Sequence, residues 1–556
     1  MIRVLITCGG GFQGLGLVRA LHAAGGIRTF VCDMHPDNPV RYVAHRYLVC
    51  PLLADDDAYE SFLRDTVARE RIDFVFPATA LDLRVLASLH AELPSRGVTL
   101  AVCRQPLLDR LLDKKSVQKL LTDAGLPAAP SIDPHQHDFS FPLIGKLADS
   151  WGGRGLEMID SRESRDQRFA SIRANHYVWS RYFNRFEEYS ADFAIGSSGT
   201  LSPIVVRKRL RTSGGFAVIS ESAGEPGWQA LFSKVAQALA DAGGYGLFNA
   251  QAIDPGSETA LPFVSDINPR IGTSATHGLA EGINLPAWFI GSVRGHAPEA
   301  PRLRRHTKSI RLLSDMALPV LPQRPRAVVF DLDDTLVDHK RWLLAKMQAL
   351  YDACFLDLAD RSRYLRVAVQ LIDDHEWPRL IDRTLELLDL PTTLRNRAIE
   401  AYRAMEISDT PLYDDVEPAL SALRDAGIKL AILTDNPPAT QRSKIAHAPP
   451  LRDIETVVLS REYGGEKPRQ SVFDQTAVAL ELSANQLVMV GDNWMRDGAG
   501  ALHAGYAHAF IVRRSASGTL ADRWLVEELA AIGQADRISA VPGLVAMLHA
   551  CLDAPA

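Results

Sequence analysis

The chain has 556 residues, more than one hydrophobic core sustains, so roughly three or four domains are expected. Hydrophobic residues make up 47% and charged residues 23%, as in ordinary globular proteins. A net charge of −6 with a pI near 6.3 gives no electrostatic basis for binding nucleic acid or an anionic membrane.

The first residues, MIRVLITCGGG, lack the long apolar stretch of a signal peptide, and no run approaches the ~20 apolar residues of a membrane span. A cytoplasmic protein is expected. Ile2 to Thr7 reads as a strand, CGGGFQGLG as a glycine turn and Leu15 to Ala24 as a helix, a Rossmann-like start. Gly9, Gly11 and Gly14 satisfy G-x-G-x-x-G, and Asp33 closes the next strand, Thr29 to Cys32. Two readings follow: a dinucleotide site, or a turn that lets the helix pack close to its strand. A third strand, Ile72 to Pro77, and a fourth, Val98 to Cys103, complete an α/β domain ending near residue 105. The six cysteines have no metal-ligand spacing and read as buried thiols of a reducing compartment.

From Leu112 the sequence LDKKSVQKLLTDAGLPAAPSI predicts a helix, a Gly-Leu-Pro stop and an extended exit. FPLIGKLADSWGGRG then places Lys146 on a strand, followed by a glycine-rich loop holding Gly152, Gly153, Arg154 and Gly155. RYFNRFEEYSADFAIG and IVVRKRL have strand character, and GGYGLFNAQAI and VSDINPRIG follow. The order and chemistry of these pieces resemble the ATP-grasp superfamily, in its carbamoyl-phosphate-synthase-like branch, over roughly residues 1 to 300. The preceding Rossmann-like domain of that family does not bind a dinucleotide, so the glycine turn is expected to be structural. The resemblance implies ATP held by Lys114 and Lys146, with the loop Gly152, Gly153, Arg154 and Gly155 over its phosphates. It places Tyr182 at the adenine and Glu188 at the ribose. Gln251, Asp266 and Asn268 would face Mg²⁺, with Mn²⁺ as an alternative, and Arg270 would stabilise the transferring phosphoryl. Two departures stand out. Asp266 occupies a place where glutamate is usual, one methylene shorter, and Arg181 stands where the adenine hinge is usually acidic. The loop Gly272 to His277 would meet the acceptor. Arg207 and Arg209 read either as binders of a carboxylate or phosphate or as a solvated basic strand face.

A Pro- and Arg-rich stretch from Pro298 to Arg326 reads as the first enzyme's tail and a linker. Beyond it AVVFDLDDTL reads as a buried strand ending in Asp331, Asp333 and Asp334. Clustered carboxylates repel, and hard oxygen ligands suit Mg²⁺. Residues 338 to 408 are helical in pattern, with Trp342, Leu343, Met347, Leu350 and Tyr351 on one stripe. Strands resume at Lys429 to Leu433, Thr456 to Leu459, Gln486 to Val490 and Ala509 to Val512, and the last residues, Leu552 to Ala556, read as frayed. FDLDDTLVD, AILTDN, GGEKPRQSVFD and LVMVGDNWMRDG, in that order, resemble the four motifs of haloacid-dehalogenase-like hydrolases, mostly phosphatases. The resemblance implies Asp331 as nucleophile, Asp333 as general acid and base, Thr434 as phosphoryl ligand and Lys467 as the cation joining nucleophile and phosphate. Asp331, Asp333, Asp492 and Asp497 are implied at the metal. The helical insert would be a cap, in which Trp377, Arg379, Arg383 and Tyr402 read as packing or solvated residues before substrate contacts.

The expected architecture is a multidomain α/β protein: a Rossmann-like domain at 1–105, an α+β ATP-grasp domain at 106–300 and a linker at 301–325. A doubly wound parallel sheet with its helical cap at about 338–408 follows at 326–545. The expected function is bifunctional: an ATP-dependent carboxylate–amine ligase fused to a Mg²⁺-dependent phosphatase. The alternative is a phosphatase with an ATP-binding regulatory or scaffold half. The expected partners are small carboxylate, amine and phosphorylated substrates, with no nucleic acid and no membrane; self-association is left open.

Overall fold

The computed structural model describes residues 1–133, 141–148, 155–169, 171–213, 216–256, 261–273, 276–296, 307–312, 315–316, 318–514 and 537–555. They form two compact units, Met1–Asp315 and Met316–Ala556.

The first unit opens with five parallel strands: β1 (Ile2–Thr7), β2 (Ile27–Asp33), β3 (Arg46–Val49), β4 (Phe74–Pro77) and β5 (Thr99–Leu100). They lie in the order β3-β2-β1-β4-β5. Parallel strands bury both faces, and accordingly the central residues Val4, Leu5 and Ile6 of β1 are wholly buried. The strand expected third is in fact fourth, because Arg46–Val49 forms an edge strand too exposed to show an apolar run. The glycine turn is packed solid. A Cβ on Gly14 would lie 1.8 Å from the Gly9 carbonyl oxygen, and Gly10 N donates to Asp33 Oδ2 at 2.9 Å. The Asp33 carboxylate is thus spent on the turn itself, which favours the structural reading of the motif.

Behind this sheet His45 is 8% exposed and its Nδ1 accepts from Thr29 N at 3.1 Å. Burial, and then the nearby His22 and Arg28, push its pKa down to about 3. An unfolded histidine protonates near pH 6.5. The unfolded chain therefore takes the proton first, and stability present above that pH is lost as the pH falls toward the folded value. From pH 7 to pH 5 this unit should lose about 2 kcal/mol, read by hydrogen exchange of β1 and β2 amides in the full chain. His45→Asn, which keeps an acceptor for Thr29, should flatten that slope; an unchanged slope would refute the assignment.

Next come β6 (Leu143–Leu147), β7 (Leu156–Ile159) and β8 (Tyr177–Arg181), an antiparallel sheet in the order β7-β6-β8. Six further strands complete the unit: β9 (Glu187–Ile195), β10 (Val205–Ser213), β11 (Phe216–Ser222), β12 (Gly246–Asp254), β13 (Phe263–Asn268) and β14 (Lys308–Ile310). Their order is β13-β12-β9-β10-β11-β14, all antiparallel. The short β14 lies within the stretch expected to be a linker, yet it pairs with β11.

The second unit is a six-stranded parallel sheet: β15 (Ala327–Phe330), β16 (Lys429–Thr434), β17 (Thr456–Leu459), β18 (Leu487–Gly491), β19 (His508–Val512) and β20 (Ile538–Val541). The order is β17-β16-β15-β18-β19-β20, so β15 is flanked by β16 and β18. Phe330 registers with Ile432 on one side and Val490 on the other, which brings the carboxyl ends of all three strands together. Helices His339–Cys354, Arg361–Asp373, Leu380–Leu387 and Arg395–Ala404 fill the insert between β15 and β16. The stripe Trp342, Leu343, Met347, Leu350 and Tyr351 is buried. Leu552 to Pro555 are pinned, contrary to the fraying expected from Leu552 onward, and Ala556 lies outside the described residues. Arg324 N donates to the Pro555 carbonyl at 2.6 Å and its guanidinium to the Leu552 carbonyl at 2.8 Å, and Ala554 is 3% exposed.

Candidate active sites

In the second unit β15 delivers Asp331 and β18 delivers Asp492, while the helical turn after β18 brings back Asp497. One carboxylate oxygen from each lies within 4.8 Å of the others. Gly491 makes room for this: a Cβ there would lie 2.2 Å from the Asp497 carboxyl carbon. Lys467 Nζ bridges the group, donating to Asp331 Oδ1 at 2.6 Å and to Asp497 Oδ1 at 2.5 Å. Burial disfavours its charge, but Asp331 and Asp497 outweigh burial and hold the ammonium above its ordinary range. Three carboxylates against one ammonium leave excess negative charge. Burial, with Asp497 and Asp492 nearby, pushes Asp331 well up, and burial with Asp497 raises Asp492 to about 7. An all-oxygen donor set with unbalanced charge fits a divalent cation.

Asp333 sits apart from that trio. Its carboxylate accepts from Asn436 Nδ2 at 2.7 Å, from Gln441 Nε2 at 3.0 Å and from Lys444 Nζ, with His339 Nδ1 at 3.3 Å. Burial would raise its pKa, yet Lys444 and His339 prevail and hold it well below the usual carboxylate range. The side chain of Asp333 is turned to these nitrogens, where a buried lysine attracts it. Thr434 is 1% exposed, and its hydroxyl oxygen accepts from Gln441 Nε2 at 2.6 Å. Its neighbour Asp435 accepts from Ser460 Oγ at 2.6 Å and Lys467 N at 3.0 Å and pairs with Arg496, which fixes the loop that carries Lys467.

In the first unit Gln251 on β12 registers with Asp266 on β13, and Asn249 with Asn268. Asn268 Nδ2 donates to Asp266 Oδ2 at 3.0 Å, Arg270 Nη2 to Asn268 Oδ1 at 3.1 Å and Gln251 Nε2 to Asn249 Oδ1 at 3.2 Å. The four candidates Gln251, Asp266, Asn268 and Arg270 therefore form one polar cluster whose hard oxygens suit Mg²⁺. Burial lowers the Arg270 pKa and Asp266 opposes that shift. Lys146 lies on β6, and Lys114 Nζ donates to the Leu147 carbonyl at 2.9 Å, so both lysines gather at the end of that strand. Gly155 closes the loop with φ +67°, and its carbonyl accepts from Leu147 N at 3.1 Å. Gly152, Gly153 and Arg154 lie outside the described residues, as do Ser274 and Ala275 of the acceptor loop. Tyr182 N donates to the Pro142 carbonyl at 3.0 Å, and Arg181 lies over the Phe183 ring. Glu188, expected at the ribose, pairs with Arg209 across the strands. Arg207 is 2% exposed and pairs with Asp192, which also accepts from Asn249 Nδ2 at 2.7 Å. It is no solvated strand face. His277 is fully buried, against Glu281 at 3.0 Å and Ser220 at 3.1 Å.

Residues 325–505 match the haloacid dehalogenase-like hydrolase family, and residues 4–101 match the PylC-like N-terminal domain. The second unit is similar to glyceraldehyde 3-phosphate phosphatase of Methanopyrus kandleri, 30% identical over 199 residues that make up 34% of this chain and 84% of that protein. The chain belongs to the haloacid dehalogenase-like hydrolases. The hydrolase unit is also similar to N-acylneuraminate-9-phosphatase of Mus musculus, 28% identical over 34% of this chain and 84% of that protein. The first unit aligns with N5-carboxyaminoimidazole synthetase of Staphylococcus aureus complexed with ADP, at 18% identity and a TM-score of 0.46. That alignment covers 56% of this chain and 82% of the other.

Within the hydrolase unit the insert helices divide into packing and solvated parts. Trp377 donates to the Ile372 carbonyl at 2.8 Å and meets the His339 ring edge-on at 4.9 Å. Arg379 and Arg383 pair with Glu386 on the surface. Sequence reasoning did not find His339, Asn436, Gln441 or Lys444. Gln441 and Lys444 are one helical turn apart just after the Thr434 strand, a readable face, but nothing local assigns that face to Asp333.

Proposed function

We propose that the hydrolase unit is a Mg²⁺-dependent phosphatase working through an aspartyl-phosphate, and that the first unit is an ATP-dependent, ADP-forming carboxylate–amine ligase. The observation that carries the first half is Lys467 bridging Asp331 and Asp497 beside Asp492. Asp331 attacks phosphorus, and the alcohol oxygen leaves with a proton. Asp331, Asp492 and Asp497 would hold Mg²⁺, whose charge would neutralise the phosphoryl oxygens. Lys467 keeps the nucleophile aimed and offsets charge that builds on the phosphoryl group. Thr434, whose oxygen already accepts from Gln441, has its hydroxyl hydrogen left to donate to phosphate. Asp333 holds the leaving-group proton. Its partners favour the carboxylate, the form needed later to deprotonate water, while a dianionic phosphate beside it favours the acid.

The ligase half rests on the Gln251–Asp266–Asn268–Arg270 cluster, which would hold a metal and phosphates, with Lys114 and Lys146 near the end of β6 for the nucleotide. Covalent linkage supports both units serving one pathway, with the phosphatase acting on the ligase's substrate or product. The deciding experiment screens amino acids and phosphorylated acids for ADP release by the full chain and identifies products by mass. ADP release that needs both a carboxylate and an amine, and falls at least about 10²-fold in Asp266→Ala, supports the ligase. ATP binding with no turnover for any pair would leave the first unit as a regulatory or scaffold half.

A further inference from the structure

The hydrolase unit holds a second buried lysine that the chemistry above does not use. Lys346, on the helix His339–Cys354, is 6% exposed and has no hydrogen bond or ion pair among the described residues. Its nitrogen is not sealed, being absent from the fully enclosed unpartnered polar atoms. Two aromatic rings face it, Tyr402 with its centroid at 4.3 Å and Trp342 at 5.2 Å. Cation–π contacts return only part of the hydration that an ammonium loses on burial, and no protein acceptor among the described residues replaces the rest. The charge that acts on it is of the same sign. Lys444 lies 4.3 Å from the same Trp342 ring, and its ammonium is already matched by Asp333. Burial and Lys444 both push the Lys346 pKa down, with no carboxylate opposing them. Lys346 and Lys444 thus bring two ammonium groups to one indole ring, of which Asp333 pairs with Lys444 alone.

We propose that Lys346 is the specificity-determining cation of the phosphatase, and that it binds a second anionic group on the alcohol part of the substrate. The inference rests on the phosphatase reading above. Lys444, which pairs with Asp333, and Lys346 both lie over the Trp342 ring, at 4.3 and 5.2 Å from its centroid, so a short carbon chain suffices to join an ester oxygen at Asp333 to an anion at Lys346. Tyr402 and Trp342 form the apolar walls around that chain. The anion is a carboxylate or a second phosphoryl group, which share charge and acceptor oxygens.

The test uses three matched esters with the full chain: 3-hydroxypropyl phosphate, 3-phosphonooxypropanoate and propane-1,3-diyl bisphosphate. Wild type should favour at least one charged ester over the neutral one by about tenfold or more in kcat/KM, and which one identifies the anion. In Lys346→Met that ratio should fall to about one, mainly through KM, and Lys346→Arg should restore part of it. A ratio near one in wild type would overturn the proposal. So would equal losses on charged and neutral esters in Lys346→Met, the mark of a purely structural lysine. Hydrolysis of p-nitrophenyl phosphate by wild type keeps the two readings separable. If it persists while all three esters are refused, the specificity assignment fails and the phosphatase stands; if it too is absent, the phosphatase reading fails.

Discussion

Asp331→Asn should abolish phosphate release, with kcat down at least about 10³-fold, while leaving the fold as stable as wild type or more so. An amide of the same shape cannot attack phosphorus, and loss of a covalent nucleophile costs at least this much in comparable enzymes. The stability side follows from charge. Burial and the neighbouring Asp497 and Asp492 raise the Asp331 pKa in the folded protein. A carboxylate whose folded pKa lies above its unfolded value destabilises the fold at neutral pH, so the uncharged amide relieves the cluster. Release of phosphate from p-nitrophenyl phosphate, with urea unfolding followed in parallel, reads both effects. Residual turnover within tenfold of wild type would remove Asp331 as nucleophile. Inactivity accompanied by a marked loss of stability would say only that the variant is misfolded.

Lys467→Met should be damaging in the opposite way, losing both turnover and stability. The ammonium is buried between two carboxylates at 2.5 and 2.6 Å, and Asp435 adds a third negative charge nearby. Removing the ammonium from a buried ionic group leaves charge uncompensated, at a cost of about 3–5 kcal/mol. Turnover should fall about 10²- to 10³-fold, because the phosphoryl group loses its fixed cation. Urea midpoints for the hydrolase unit's transition, and kcat under conditions where the variant stays folded, separate the two losses. A stability change below about 1 kcal/mol would mean that solvent or the carboxylates' own protonation already balances the site. Paired with Asp331→Asn, this variant asks whether one site can be uncharged safely from one side and not from the other.

Much of this was legible in the residues themselves. Ala327 to Phe330, Leu430 to Leu433 and Leu487 to Val490 are apolar runs that end in polar groups, a pattern that a buried parallel strand and a strand-end site impose together. That pattern marks Asp331 as a strand-end group, whereas the roles expected of Thr434 and Asp492 came from the resemblance to the hydrolase motifs. The partners of Asp333 could not be read in either way, since Lys444 comes from a helix 111 residues further on and meets it only through the fold. Arg46–Val49, Lys308–Ile310 and Ile538–Val541 escaped for a different reason. They are edge strands whose hydrogen bonds, not an apolar pattern, define them. Glu188 and Arg209 show the same limit for charges: each has a plausible ligand in sequence, and in three dimensions they satisfy each other.

Arg324, just ahead of β15, grips the carbonyls of Leu552 and Pro555, so the hydrolase unit begins and finishes at one spot. Arg326 N donates to the Gln486 carbonyl ahead of β18, which puts that spot at the amino ends of the strands, whereas Asp331 and Asp492 emerge at the carboxyl ends. A unit closed on itself this way, with its closing contacts away from its catalytic carboxylates, has the anatomy of a self-contained cassette.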